Sequence, residues 1–277
     1  EFVEFTEEEE YDIVVLWIFH TYLFNLQGNT VYLHFTGLRG SGKSTIQKIL
    51  TKLCWNGIYV CSISEAALFR EIDILQNTMN IDEIDKWAKE HQLVMQGLLN
   101  NGYSKGGVVK RCEKDEQGNQ RVVSFRVFSP KTITTNNPNL IDSFRSRCID
   151  INTLPTNKHL KNIDCLSEED NKKFHEFRDD VINYMLNHGL EIYNLFKEDI
   201  NNPAMISNRS NQLLNVLRCF YKHFKLDSDI EGYVERSKDN IENVFNAEYM
   251  ILEYLANIEN EKIIVTNEDI VNYINRI

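Results

Sequence analysis

Short apolar runs alternate with helix-compatible polar segments in the part of the chain before Pro155. The runs favour strands, and the segments between them space their apolar positions as a helix does. This alternation predicts an α/β fold in which a parallel sheet is covered on both faces by helices. Five strands are expected, at Val31–Phe35, Gly57–Cys61, Asn77–Asp82, Val127–Thr135 and Cys148–Asn152.

The pattern on either side of this core is helical. Before it, the acidic run Glu7–Glu10 and the apolar segment Ile13–Phe24 predict a helix with negative charge at its N-terminus. After Pro155, long charged segments with helical spacing begin near Glu168 and Asn211. We therefore expect an N-terminal helical linker over residues 1–30, a core over residues 31–155 and a helical lid over residues 156–240.

One segment before the fourth expected strand interrupts the alternation. From Gly107 to Ser129, two β-branched runs are joined by a polar tip that contains Gly118 and Asn119, a pattern typical of an antiparallel hairpin. The stretch 101–131 carries seven basic and three acidic residues, although the whole chain has a net charge of −11. Such an acidic protein does not coat nucleic acid over its whole surface, but a local basic element can still contact it.

Composition adds further expectations. The longest apolar stretch, Tyr11–Phe24, is about fourteen residues long and is too short to span a bilayer. We expect neither a signal peptide nor a membrane partner. The six cysteines show neither a CxxC pair nor metal-ligand spacing, which indicates free thiols in a reducing, cytoplasmic compartment. Because the chain begins without methionine, we also expect it to be part of a longer protein.

Residues Gly37–Thr45 read GLRGSGKST and satisfy the phosphate-loop pattern GxxxxGK[ST] between an expected strand and an expected helix. In that context, backbone N–H groups converge on nucleotide phosphates at the positive end of the helix. Lys43 reaches the β and γ phosphates, and the Ser44 hydroxyl can bind Mg²⁺. A chance turn rich in Gly, Ser and Lys is the alternative. The expected ATP-binding residues are Gly37, Gly40, Ser41, Gly42, Lys43, Ser44 and Thr45.

Two adjacent carboxylates, Asp82 and Glu83, stand at the end of the third expected strand. Asp82 can hold Mg²⁺ through water, and Glu83 can polarise the attacking water. Such a pair suits hydrolysis, because charge develops on the transferred phosphoryl group and on the nucleophile together. A solvated acidic turn is the alternative.

The segment TTNNPNLIDSFRSR begins at the end of the fourth expected strand and continues to Arg147. It resembles the corresponding segment of the AAA+ ATPases. That superfamily has a polar sensor at the end of its fourth strand and an arginine finger before its fifth. The resemblance implies that Asn136 is the sensor, with Asn137 second. It also implies that Arg145 or Arg147 is the finger, with Arg147 favoured, and that the finger acts on the nucleotide of a neighbouring subunit. Two surface arginines on a helix are the alternative.

Further segments resemble, in order, the helicase-like ATPases of phages, plasmids and genomic islands, some of which are similar to the minichromosome-maintenance helicases. The likeness spans roughly Leu16 to Phe224 and includes LWIFHTY, EAALFREID, LLNNGYSKGG, VFSPK and NRSNQLLNVL. It implies that Arg209 is a second sensor and that residues 241–277 begin a C-terminal winged-helix-like unit that the sequence cuts short.

The same resemblance implies a ring, expected to be a hexamer, with the hairpin pointing into a central channel that holds DNA. The candidates for DNA contact are Lys110 and Arg111 first, then Lys114 and Arg121. A solvated hairpin with ordinary surface charge is the alternative. His20 and His34 lie in apolar runs and are expected to be packed rather than to bind a ligand.

Together these expectations describe a motor that hydrolyses ATP with Mg²⁺ and translocates on single-stranded or forked DNA. We expect it to be the replicative helicase of a mobile genetic element. The rival is an ATP-switched initiator or loader that assembles on DNA without unwinding it. A small-molecule kinase ranks third because nothing resembles an acceptor site. A GTPase ranks lower still because no NKxD motif is present.

Overall fold

The computed structural model describes residues 1–84, 89–114, 117–135, 145–156, 158–202 and 209–237. The chain divides into two units, Glu1–Glu231 and Gly232–Ile277. The second unit is described over residues 232–237, which are helical. The helices of the first unit include α1 (Glu8–Leu23), α2 (Lys43–Leu53), α3 (Glu65–Leu75), α4 (Lys89–Asn101), α5 (Glu168–Ile200) and α6 (Arg209–Phe224). Its strands include β1 (Tyr32–Thr36), β2 (Gly57–Val60), β3 (Thr78–Ile81), β4 (Val108–Lys114), β5 (Gln120–Arg126), β6 (Lys131–Thr134) and β7 (Cys148–Asn152).

Five strands form one parallel sheet with the order β2-β3-β6-β1-β7. This confirms the predicted α/β class and the five-stranded parallel sheet. Four of the strands lie within one residue of their predicted bounds, but the fourth core strand begins at Lys131 and not at Val127. The preceding Pro130 has no N–H group and cannot donate to the ladder. β6 lies between β1 and β3, at the centre of the sheet.

The central strands are buried, as expected for a sheet with helices on both faces. All residues of β3 and β6 are buried, and so are the first four residues of β1. Several polar side chains in these strands and packed against them are paired. Thr132 Oγ1 donates to Asn80 Oδ1 at 2.8 Å, and the Gln47 amide donates to Ile81 O at 2.8 Å. Because burying a polar group without a partner costs free energy, these bonds favour this register of the strands.

A buried carboxylate fastens the first helix to the sheet. Glu10 forms a capping box with Glu7, and its Oε1 also accepts from Asn152 N at 2.7 Å. Further along α1, Trp17 is buried and its indole donates to Val31 O at 2.7 Å. The start and the middle of α1 are therefore bonded to the core.

Two buried basic side chains belong to the core. His20 is buried, as predicted, with ring nitrogens 2.5 Å from Gln27 Oε1 and 2.7 Å from Thr30 Oγ1, and burial lowers its pKa to about 4. Lys131 is fully buried, and its ammonium donates to the carbonyl oxygens of Val127 and Ser129. Burial lowers the pKa of Lys131 to about 7. Lys131 is therefore not part of the basic surface that the charge count suggested.

The predicted hairpin is present as an antiparallel pair, β4 and β5, outside the main sheet. Its tip turns at Gly118, whose φ of +87° glycine adopts without strain. Phe125 packs on Phe69 of α3 with ring centroids 4.6 Å apart. Arg126 forms an ion pair with Asp73 near the end of α3. These contacts anchor the hairpin on α3 at the end away from its tip.

The helices after the core begin close to their predicted positions. α5 begins at Glu168, as predicted, after the capping residue Ser167, and it continues to Ile200. α6 begins at Arg209, two residues earlier than predicted. α5 packs against α6, and α6 packs against α1. The predicted winged-helix-like unit lies outside the described residues. None of the described helices is both long and apolar enough to cross a bilayer.

Candidate active site

The phosphate loop leaves the end of β1 and turns sharply into α2. Gly37 has a φ of +147°, and a Cβ at this position would lie 2.3 Å from the carbonyl oxygen of Thr153. Gly42 has a φ of +91° and caps the N-terminus of α2. Both positions therefore require glycine, the first mainly because of the close approach and the second because of its left-handed backbone. The N–H groups of the first turn of α2 point back towards this loop, at the positive end of the helix dipole.

Lys43 begins α2 and folds back over the loop. Its side chain is buried, and Nζ donates to Gly37 O at 2.6 Å and to Leu38 O at 2.9 Å. Ser41 Oγ lies 2.7 Å from Thr153 Oγ1, which fastens the loop to the residue after β7. The loop is thus bonded to Lys43 of α2 and to Thr153 after β7, and the Lys43 ammonium lies next to the loop.

Asp82 directly follows β3, and the two neighbouring strands hold its carboxylate. Oδ1 accepts from Thr134 Oγ1 of β6 at 2.5 Å, and Oδ2 accepts from the Tyr59 hydroxyl of β2. Thr134 Oγ1 also accepts from Glu83 N at 2.8 Å, so one hydroxyl orients both acidic residues. Burial and the bond to Asp82 raise the pKa of Tyr59, which keeps the phenol protonated as a donor. Glu83 has a φ of +48°, which is uncommon for a residue with a side chain.

The loop and the acidic pair line one cleft of about 490 Å³. The lining residues are Arg39, Gly40, Ser41, Gly42, Lys43, Ser44, Thr45, Asp82 and Glu83. Six of the seven predicted ATP-binding residues are among them, and Arg39 was not predicted. The donor set fits a nucleotide with Mg²⁺, because N–H groups and cations suit phosphates, whereas a hydroxyl and a carboxylate are the oxygen ligands that Mg²⁺ prefers.

Arg147, the favoured finger residue, lies near the opposite end of the sheet. Arg147 O accepts from Tyr32 N at 3.0 Å, which places Arg147 beside the first residue of β1. The phosphate loop begins five residues later, at Gly37. At about 3.3 Å per strand residue, Tyr32 and Gly37 are about 16 Å apart. The parallel sheet therefore separates Arg147 from the phosphate loop of its own chain.

Arg145 lies beside a buried pair of an acid and a histidine. Its Nε is 3.7 Å from Asp150 Oδ2, and Asp150 Oδ1 accepts from His34 Nδ1 at 2.5 Å. Burial alone would raise the pKa of Asp150, but the His34 hydrogen bond and the charges of His34 and Arg145 lower it. The other ring nitrogen of His34 lies 2.9 Å from Thr135 Oγ1. These contacts run from Arg145 to the residue before the predicted sensor Asn136, which lies outside the described residues.

Arg209, the predicted second sensor, lies with Arg147 and does not line the cleft. Its Nε donates to Ser146 O at 2.6 Å. The guanidinium carbons of Arg209 and Arg147 lie 4.9 Å and 5.9 Å from the centre of the Tyr103 ring, whose face attracts cations. We refer to Arg145, Arg147 and Arg209 as the arginine cluster.

The four predicted DNA contacts divide between the two faces of the hairpin. Lys110 and Lys114 share one face, and both are exposed. Arg111 is on the other face, where its guanidinium carbon lies 5.2 Å from the centre of the Phe69 ring. Arg121 is on that second face as well. Because side chains alternate along a strand, one face presents the two lysines and the other presents the two arginines.

No family model and no curated protein matches the sequence. The chain is similar to a structure of JCV helicase bound to a substituted acetamide, with a TM-score of 0.34 and 14% identity over 71% of this chain and 66% of that chain. It is also similar to an A form apo structure of the NrS-1 C-terminal region (305–718), with a TM-score of 0.36 and 16% identity over 64% of this chain and 43% of that chain. A second apo structure of that region gives a TM-score of 0.37 and 17% identity over 61% of this chain and 38% of that chain. Likenesses at these values assign no residue and no function.

The Thr134 hydroxyl gives the first prediction. Thr134 is fully buried and bonds to Asp82 and to Glu83 N. Thr134→Val keeps the shape but leaves a buried N–H without its acceptor and a carboxylate oxygen without its donor. We expect a loss of about 1–3 kcal/mol in the free energy of unfolding, measured by urea denaturation. Thr134→Ser should restore most of this loss. Equal stability of the valine variant and the parent would contradict the role of this hydroxyl.

Proposed function

We propose that this chain is the ATPase core of a DNA motor of the AAA+ class that works as a ring of identical copies. The observation that carries the proposal is the separation of two half-sites within one chain. The groups suited to phosphate and Mg²⁺ line a cleft at one end of the sheet, whereas the backbone of Arg147 lies at the other end. If the Arg147 end of one copy packs against the cleft end of a second copy, the two half-sites form one complete site.

Within the cleft, the proposed roles follow from position. The N–H groups of Gly37–Thr45 and the Lys43 ammonium hold the phosphates of ATP. Ser44 and Asp82 bind Mg²⁺, directly or through water. When bound, Mg²⁺ neutralises charge on the phosphate oxygens. Asp82 enters this arrangement already held in place by its two neighbouring strands, so little ordering of its side chain is needed on binding.

Glu83 is the proposed activator of the attacking water. Its backbone is bonded to Thr134, and the residue lines the cleft beside Asp82. A carboxylate at this point can accept a hydrogen bond from water and take its proton as the water attacks phosphorus. Asn136 follows β6, which lies between β1 and β3, and it is proposed to orient the same water.

The arginine cluster is proposed to serve the cleft of a neighbouring copy. An arginine finger stabilises the charge of the transition state and raises the rate by roughly 10³–10⁵. Arg147 is the first choice and Arg145 the second, and Arg209 accompanies them as a second sensor. A contact between unlike surfaces of identical copies closes into a ring when its rotation allows. We propose a hexamer.

The hairpin is the proposed contact with DNA. It lies outside the main sheet, and Lys110 and Lys114 are both exposed on one of its faces. Lysines in such a position contact phosphates without reading sequence. The resemblance to helicase-like ATPases of mobile elements supports a replicative helicase. The alternative is an initiator or loader, which would bind DNA but would not unwind it.

The second prediction concerns hydrolysis. Lys43→Ala should abolish ATP turnover, because it removes a cation from the phosphates. Glu83→Gln should retain ATP but hydrolyse it on the order of 10² times more slowly, because the water loses its base. Phosphate release measures turnover, and filter retention of labelled ATP measures binding. Turnover near the parent rate in Glu83→Gln would assign the base to another residue.

The third prediction concerns the shared site. Lys43→Ala and Arg147→Ala should each be inactive alone, but their mixture should recover part of the ATPase activity, because one intact cleft can meet one intact arginine. A mixture of Lys43→Ala with Glu83→Gln is the control, because both changes damage the same half-site and no recovery is expected. Arg145→Ala tests the second choice for the finger. Full activity of both single arginine variants would contradict a shared site.

The fourth prediction concerns the hairpin. The double change of Lys110 and Lys114 to Ala should lower the slope of log affinity for single-stranded DNA against log salt by about 1.4, at about 0.7 per lost phosphate contact. Basal ATPase should persist, whereas stimulation by DNA and unwinding of a forked duplex should fall.

The matched control removes the exposed lysines Lys172 and Lys173 on α5 instead, which subtracts the same charge elsewhere. An unchanged salt slope in the hairpin variant would exclude this face from DNA binding. If the parent chain binds DNA and hydrolyses ATP but unwinds no fork, the initiator or loader is the better description.

A further inference from the structure

Two histidines and one glutamate meet where α5 packs against α6. His188 and Glu191 are about one turn apart on α5, and His223 is in the last turn of α6. Glu191 Oε2 lies 3.6 Å from His188 Nδ1, and Glu191 Oε1 lies 3.4 Å from His223 Nδ1. The candidate ligand atoms of all three residues lie within 4.8 Å of one another.

These separations suit a shared metal ion better than direct hydrogen bonds. Hydrogen bonds between nitrogen and oxygen are about 2.7–3.2 Å long, and both contacts of Glu191 are longer. Two ligands that each lie about 2.0–2.1 Å from zinc at a tetrahedral angle are about 3.3–3.4 Å apart. Each carboxylate oxygen of Glu191 and the imidazole that it faces are therefore close to the spacing of two ligands on one zinc ion.

A tyrosine supports the two imidazoles. Tyr184 OH lies 2.8 Å from His223 Nε2, so it can accept that N–H while the Nδ1 lone pair faces Glu191. Histidines that bind metals commonly donate their second nitrogen to a partner in this way. The Tyr184 ring also lies against His188, with ring centroids 4.5 Å apart. Tyr184 thus contacts both imidazoles of the cluster.

The cluster is accessible from solvent. The His223 side chain is 8% exposed, but His188 is 43% exposed and Glu191 is 64% exposed. An ion can enter from the open side and keep a water molecule as its fourth ligand. Two imidazoles, one carboxylate and a water form a donor set that zinc accepts in four-coordinate sites.

We propose that His188, Glu191 and His223 bind a zinc ion that clamps α5 to α6. None of these residues lines the nucleotide cleft or belongs to the arginine cluster, so the site does not depend on the proposed ATPase function. A ligand that binds the folded chain stabilises it by mass action. Because α6 begins at Arg209, the clamp would also steady the helix that carries the proposed second sensor.

The test uses the full chain, treated with a chelator, dialysed and then titrated with Zn²⁺ in competition with a chromophoric chelator. We expect one saturable Zn²⁺ per chain and a rise in the melting temperature on adding Zn²⁺. His188→Gln, Glu191→Gln and His223→Gln should each lose at least tenfold in affinity and most of the thermal shift. Tyr184→Phe should weaken binding about 10- to 100-fold, as expected when the partner of a ligating histidine is removed.

The control is His175→Gln, which changes another exposed histidine of α5 and should bind Zn²⁺ like the parent. His188 is itself partly exposed, so its substitution should preserve folding, which circular dichroism checks. Absence of saturable Zn²⁺ binding in the folded parent would overturn the proposal. Undiminished binding in folded His188→Gln and Glu191→Gln would also overturn it, because the ion would then be held elsewhere, for example by the exposed thiols of Cys61, Cys112 or Cys165.

Discussion

The polarity of a parallel sheet is the constraint on which the rest of this structure depends. Strands that run the same way bring their carboxyl ends to one edge, so the loop after β1, the acidic pair after β3 and the end of β6 meet there. The same polarity puts Arg147, which precedes β7, at the other edge, about 16 Å away at the rise of a strand. The hydrogen-bonded sheet keeps these two groups apart within one chain. In the proposed mechanism, the cleft therefore receives its arginine from a second copy.

Features that depend on short-range pattern could be predicted from the sequence. The buried strands are short runs rich in apolar and β-branched residues, the hairpin has a Gly-Asn tip, and the phosphate loop has its glycines at fixed spacing. The predicted start of the fourth core strand, Val127, was wrong, and the reason is also visible in the local sequence. Pro130 cannot donate a backbone hydrogen bond, and the strand begins directly after it, at Lys131. The split of Lys110 from Arg111 follows from the alternation of side chains along a strand, so it could have been inferred from the predicted hairpin.

Features that depend on pairing between distant segments could not be predicted. Thr134 and Tyr59 hold Asp82 only because β6 and β2 flank β3, and no local signal marks either residue. Lys131 counted as surface charge in the sequence but is buried, since it begins β6, the central strand of the sheet, and all four residues of that strand are buried. Asn136, the predicted sensor, lies outside the described residues.

The central claim is that one copy holds an incomplete site for ATP hydrolysis. The most direct test is the ATPase rate per chain at saturating ATP and Mg²⁺, measured over a dilution series from micromolar to nanomolar protein, with the molecular mass determined at each concentration. The account predicts that the rate per chain falls steeply as the oligomer dissociates and that the monomer hydrolyses almost no ATP. A constant rate per chain at concentrations where the protein is monomeric would contradict it.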